Sequence, residues 1–347
     1  MSPVPRSDTA DPRRLSLGPA TRLLWRSSES VHLELGNRAV VLDGAPPHLL
    51  RLLASRTQPA GEMGPDLAAE TRDAFDGLLD AGFLWTRSND PADTRLHPPA
   101  PRLARELTAL AARHGANAAD VLCARRAASV VVSGANAAGV HLAALLAAAG
   151  VGRVWCSAHG SARLAHAMPG GVVPGDEGSE LSAAATAAIG RAAPDAETVP
   201  LPPGRQPDLT VLAAQAPVDE ERRYALHAAH AAHLLVGLAA DHGVVGPLVL
   251  PGLTSCLRCA DLHRRDRDPA WPALAAQLAV APARGAAMDV AMATVIVGTA
   301  AVQALAFLDG GDPACIDASL ELHLPDWRLR RRTRGPHPEC DCTRPAQ

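Results

Sequence analysis

The sequence contains no lysine; all 33 basic residues are arginine. That absence excludes a P-loop lysine, a Schiff-base lysine and any lysine to steady a nucleotide phosphate. Aromatic residues are scarce, 3% against 48% hydrophobic in total, so the interior must be built from alanine and aliphatic side chains. Broad positive charge is missing too. A formal net charge of −3 argues against a nucleic-acid binder that relies on its field. The opening "MSPVPRSDTADPRRLSLGPATRLLW" has no apolar signal core, so a reducing, cytoplasmic setting is expected. One stretch, "VAMATVIVGTAAVQALAFL" at 290–308, is long enough to span a bilayer. Its Gln303, two threonines, Gly and many alanines make it read as a helix buried in an α/β domain, with no membrane partner.

Seven cysteines are present: Cys123, Cys156, Cys256, Cys259, Cys315, Cys340 and Cys342. In "SCLRCADLHRRDRDP" a C-x-x-C pair stands at metal-ligand spacing, and "ECDC" follows at the C-terminus, with Cys340 81 positions after Cys259. A C-x-x-C that meets a C-x-C across a domain predicts a structural zinc site. Its four-thiolate shell would be closed and leave no position for catalysis. A redox pair fits less well, because Pro251-Gly252 precede the motif where a strand would be expected. Two disulfides would need an oxidising compartment. His263, Cys315 and His337 are alternative ligands, each read first as packing or surface. Burial is the expected fate of Cys123 and Cys156, and Cys315 reads as a strand residue.

Residues 20–43 alternate in short runs and predict two or three small strands. Helical patterning follows in "PPHLLRLLASR" and "PDLAAETRDAFDGLLDAGFLW". Together these predict a winged-helix unit over 1–90. Up to residue 95 there are 11 Arg against 13 Asp and Glu, and the later helix carries Asp66, Glu70, Asp73, Asp76 and Asp80. That face suits phosphates poorly, so the unit is expected to take an extended peptide along a strand edge rather than DNA. Leu49, Leu52, Leu53, Leu78 and Leu79 are expected to line a neighbouring cleft. A Pro-rich linker at 87–102 and an Ala-rich helix at 103–114 join it to the second domain, so that 91–119 reads as linker and helix.

From about residue 120, "ASVVVSGANAAGVHLAALLAAAGVGRVWCS" reads strand, Gly turn, helix, strand, the opening of a Rossmann-like fold. Further strands are expected at "DLTVLAA", "HLLVGLAA" and "GVVGPLVLPG". In "HAAHAAH", His227, His230 and His233 are expected along one helix face, solvated or half-packed.

Set in this order, with "GVVGPLVLPGLTSCLRC", a long Ala-rich helix and a terminal cysteine pair, residues 120–347 resemble the E1-like superfamily of ThiF/MoeB adenylating enzymes. The chain looks most like the E1-like partner proteins of azole and azoline peptide biosynthesis. That resemblance implies an N-terminal winged-helix peptide clamp for a precursor's leader peptide and a YcaO-type cyclodehydratase as partner. It also implies the zinc staple, although the family usually pairs C-x-x-C with C-x-x-C. E1-like folds commonly pair as homodimers, and the Ala-rich surfaces here would permit that.

The family's nucleotide residues carry over poorly. Active members use G-x-G-G-x-G to bring backbone amides against ATP phosphates. Here the turn is "GANAAG": Gly134 and Gly139 match, while Asn136 and Ala137 replace the middle glycines, and their Cβ atoms hinder close approach. The ribose-binding Asp falls at Ala158, the family lysine near Leu181 and the Mg²⁺-organising Asp near Gln215. Loss of several transition-state contacts, each worth about 2.7–4 kcal/mol, would erase most of an adenylating enzyme's advantage. The expectation is a non-catalytic, leader-binding scaffold without ATP chemistry. An ATP-dependent adenylyltransferase acting on a peptide or sulfur-carrier C-terminus is the alternative. A thioester-forming cysteine or an NAD-dependent oxidoreductase fits less well, the latter because the acid after the second strand is missing.

Overall fold

The computed structural model describes residues 15–18, 20–44, 76–86, 101–134, 137–213, 218–280 and 289–342. The chain divides into two compact units, Met1–Cys123 and Ala124–Gln347.

In the first unit, strands β2 (Arg22–Trp25), β3 (Ser30–Leu35) and β4 (Arg38–Asp43) form an antiparallel sheet with β3 in the middle. The alternation in "SVHLEL" sends Val31, Leu33 and Leu35 to a buried face, where they meet Leu78, Phe83 and Leu84. The opposite face keeps Leu24 and Val41 exposed on either side of His32. A short pair, β1 (Leu15–Leu17) with β5 (Leu84–Thr86), lies beside a helical turn at 76–80. Helix α1 (Ala104–His114) packs Leu103, Leu107 and Leu110 on Trp85. Most of the two helical patterns expected before residue 76, with Leu49, Leu52 and Leu53, lies outside the described residues. Leu78, expected to line a cleft, is instead a core residue at 5% exposure.

Helix α2 (Ala118–Ala127), unforeseen in the sequence, leads into the second unit. There β6 (Ser129–Ser133), β7 (Arg153–Ser157), β8 (Leu209–Ala213) and β9 (His233–Leu238) are parallel. Strands β10 (His242–Val249), β11 (Ala318–His323) and β12 (Arg328–Thr333) continue the sheet antiparallel. Among the described residues the order is β12-β11-β10-β9-β8-β6-β7. Every residue of "LTVLA" in β8 is buried, as expected of a central strand covered on both faces.

Helix α3 (Ala137–Ala148) follows β6, and α4 (Leu181–Ala192) follows β7. Helix α7 (Trp271–Val280) precedes α8 (Val290–Leu308), and α8 packs on α3 and β10. By length and composition α8 could cross a membrane, with a mean hydropathy of 2.0. Its Met292, Ile296, Val297, Ala300 and Ala304 nevertheless belong to the core cluster that includes α3 and the sheet. A bidentate ion pair ties its C-cap residue Asp309 to the fully buried Arg125.

Three sequence expectations fail here. "HAAHAAH" is not one helix. Helix α5 (Glu220–Ala228) ends after His227, His230 turns with φ of 50°, and His233 opens β9. No Gly or Pro marks that break, so the helical period carried through it in the sequence. Cys315 lies in the turn before β11 rather than in a strand, and Cys123 is exposed on α2 rather than buried.

Candidate functional site

Cys256 is the N-cap of helix α6 (Leu257–Arg267), and Cys259 lies in its first turn. Four consecutive main-chain N–H groups at such a terminus favour anionic sulfur. The C-terminal tail returns Cys340 and Cys342 to the same place. The Sγ atoms lie 3.8 Å apart for Cys256–Cys259, 3.7 Å for Cys256–Cys340 and 3.4 Å for Cys259–Cys342. All four fall within 4.8 Å of one another. A tetrahedral four-thiolate ion with metal–sulfur bonds of about 2.3 Å needs S···S edges of about 3.8 Å. The sulfur positions therefore fit such an ion, and the site could hold a metal.

The thiols also perturb one another. Cys259 accepts from the Cys256 thiol and is held low, at about 4. Cys256 is pushed up by that same donation and by burial. Burial pushes Cys342 up to about 12. One thiolate forming readily beside two reluctant thiols is the behaviour expected where a cation is needed to gather the charges.

The tail is fixed to α6 by more than sulfur. Arg258 pairs with Asp341 at 3.2 Å, and Arg265 with Glu339 at 2.9 Å, two helical turns apart on one face. His337 is buried; its Nε2 donates to Asp266 at 2.7 Å and its Nδ1 accepts from the Glu339 amide at 3.1 Å. His263 bonds the Gly335 carbonyl at 3.0 Å and meets the His337 ring edge-on. Both imidazoles are thus occupied in holding the tail. Among the described residues the donor cluster consists of the four cysteines alone, and His263, His337 and Cys315 stand outside it.

The second candidate is the turn after β6. Gly134 has φ of 141°, and a Cβ there would lie 2.0 Å from the Ala213 carbonyl oxygen of β8. Packing of the turn on the neighbouring strand therefore demands glycine on its own, whether or not a nucleotide binds. Asn136 lies outside the described residues, as does Gln215. Ala137 opens α3 and is buried in a small cluster with Met168 and Ala293, flanked by Leu238. Met168 reaches it from the loop after β7, held by a tight turn in which its amide bonds the Val172 carbonyl and its carbonyl accepts from Gly171. An apolar side chain thus packs against the first residue of α3. Gly139 is buried one turn further in, Ala158 is buried at the end of β7, and Leu181 joins the core at the start of α4.

Sequence reasoning missed Met168 entirely. "MPGG" has no periodicity, and its partner Ala137 is 31 positions away. Of the remaining thiols, burial pushes Cys156 up to about 12 and Cys315 up to about 11, so neither is a ready nucleophile.

No family model and no curated protein matches the sequence. Solved structures do. Escherichia coli MccB with ATP shares 15% identity at a TM-score of 0.69, covering 94% of this chain and 99% of that one. The microcin C7 biosynthetic enzyme MccB in complex with N-formylated MccA gives 15% identity and a TM-score of 0.69 over 95% of this chain and 99% of that one. PaaA gives 14% identity and 0.61 over 91% of this chain and 99% of that one. MccB is an E1-like enzyme of the ThiF/MoeB family. Parallel strands bearing the Gly turn, the antiparallel extension and near-complete coverage agree, and the chain has the E1-like fold.

Proposed function

We propose that this chain is a member of the E1-like superfamily that binds a precursor peptide and no longer adenylates. The carrying observation is the packing of Met168 on Ala137, the first residue of α3; in this reading it would keep a nucleotide phosphate from the amides there. The missing lysine and the apolar Ala158 support the same reading. The first unit, with 1–90 as its peptide-clamp part, would take the leader as an added strand on β2 or β4. Each of these has one side without a strand partner among the described residues. The second unit, 120–347 in the sequence reading, would present the leader-bound precursor to a separate YcaO-type cyclodehydratase, as a monomer or a homodimer. Its four cysteines would hold one structural zinc, joining the tail to α6.

MccB crystallised with ATP favours a second reading, an ATP-dependent adenylyltransferase working through an altered pocket. Fluorescence anisotropy of the full chain tests the first. A labelled leader from a precursor encoded beside this chain should bind, and labelled duplex DNA should not. Salt-sensitive DNA binding without leader binding would refute the proposal. Pyrophosphate exchange from ATP with candidate peptides would promote the second reading.

A further inference from the structure

Between helix α6 and strands β10 and β11 lies a partly open cavity of about 50 Å³ that includes none of the cysteines and none of the Gly-turn residues. Leu235 and Pro247 give it apolar walls. Its charged lining is Arg223 from α5, Asp261 and Arg264 from α6, Glu321 from β11 and Arg334 from just beyond β12. Three guanidiniums thus share the lining with two carboxylates, a surplus of one positive charge.

The hydrogen bonds show the same surplus. Asp261 Oδ1 accepts from Arg264 at 3.0 Å and from the Trp271 indole at 3.1 Å, and its Oδ2 accepts from Arg223 Nη1. Glu321 Oε1 accepts from Ser319 at 2.8 Å and from Arg334 at 2.9 Å, and its Oε2 pairs with Arg332 at 2.6 Å. All four carboxylate oxygens are therefore taken. Arg223 Nε is buried and has no acceptor among the described residues. Arginine cannot shed a proton to relieve this, and a buried donor without an acceptor is costly. Water could accept from Nε, but it would leave the surplus charge unmatched. Arg223 also borders the larger cleft beside α5. There Glu220, Glu221 and Asp341 outnumber Arg223 and Arg258, so an anion belongs on the sheet side.

We propose that this cavity binds a carboxylate group. A planar carboxylate brings two acceptor oxygens to guanidinium N–H donors and the single negative charge that the lining lacks. The volume agrees. Where one water needs about 10–15 Å³, a cavity of this size admits the carboxylate and leaves the rest of its bearer in solvent. The inference is independent of peptide capture by the first unit and of the fate of the nucleotide turn.

Trp271 reports on the site, because its indole donates to Asp261 and its ring lies 5.0 Å from the Arg264 guanidinium. The chain has five tryptophans, so with fluorotryptophan incorporated the Trp271 ¹⁹F signal is identified by Trp271→Phe. The full chain is titrated at constant ionic strength with sodium acetate and, separately, with its uncharged isostere acetamide and with sodium chloride. The expected result is a saturable shift of the Trp271 signal with acetate alone. N-acetylglycine and N-acetylaspartamide, run alongside, separate a chain terminus from an acidic side chain, the tighter binder naming the source. Arg223→Gln should weaken acetate binding by at least about tenfold, the loss of one charge-assisted hydrogen bond. An unmoved Trp155 signal from β7 would show the sheet intact in that variant, and the comparison on the unaltered chain stands without it. No saturable shift with any of the carboxylates, an equal shift with acetamide or chloride, or undiminished affinity in folded Arg223→Gln would overturn the assignment.

Discussion

Replacing Asp309 by asparagine should destabilise the second unit severely, although the residue lies far from any candidate site. The Arg125 side chain is 0% exposed and its partner Asp309 3%. Arg125 Nε donates to Oδ1 at 2.9 Å, Nη2 to Oδ2 at 2.5 Å, and Nη1 to the Ala149 carbonyl at 2.8 Å. Arginine cannot shed its proton, so the variant would keep a buried cation that has lost its carboxylate partner Asp309. Breaking such a pair costs about 3–5 kcal/mol, a large share of a domain stability of about 5–15 kcal/mol. For a unit of this size the melting point should fall by about 6–20 °C.

The reasoning has a second arm. Arg125→Met with Asp309→Leu removes both charges together, and apolar replacement of a whole buried pair is often neutral or stabilising. The double variant should therefore recover most of the loss, a strong non-additivity. Because two units need not unfold together, the readout is native-state hydrogen exchange on peptides from β6, α3 and α8. A single-variant loss below about 1 kcal/mol would refute the argument, since that is the range of exposed pairs. So would a double variant no better than the single one.

Two further outcomes follow from other parts of the chain. Purified protein should carry one zinc per chain by elemental analysis, and Cys340→Ser or Cys342→Ser should abolish it; undiminished metal would remove those ligands from the site. His141, on α3 against Gly170 and Gly171, is half-buried, and its buried Nδ1 has no partner among the described residues. Burial lowers its pKa below the ordinary 6.5, so the unfolded chain takes up its proton first. Its contribution is complete above 6.5 and declines as pH falls through that value toward the folded pKa. Urea midpoints followed across that range should flatten in His141→Gln, and an identical pH profile in the variant would count against the burial effect.

Much of the second unit was legible because its signals are local. Short apolar runs in "SVVVS" and "RVWCS" around a Gly turn and an apolar helix gave the opening βαβ unit, and "SCLRC" with "ECDC" announced a cluster that the fold does bring together. What escaped was long-range or unpunctuated. Arg125 and Asp309 are 184 positions apart, and nothing in "CARRA" separates the buried arginine from its exposed neighbour Arg126. The split of "HAAHAAH" into helix, turn and strand depends on His233 joining β8, which overrides the helical propensity of the alanines. Gly134 misled in the opposite direction. Its glycine reads as a phosphate-binding residue, but strand packing already requires it.

The central claim, that an E1-like fold persists here without its nucleotide chemistry, is tested most directly by ATP binding in the presence of Mg²⁺. Isothermal titration calorimetry of the metal-replete full chain needs no knowledge of the peptide substrate. With Met168 seated on Ala137 and no lysine in the sequence, no saturable heat is predicted at millimolar ATP, and Met168→Gly alone should not create any. Stoichiometric, micromolar ATP binding by the unaltered chain would contradict the account.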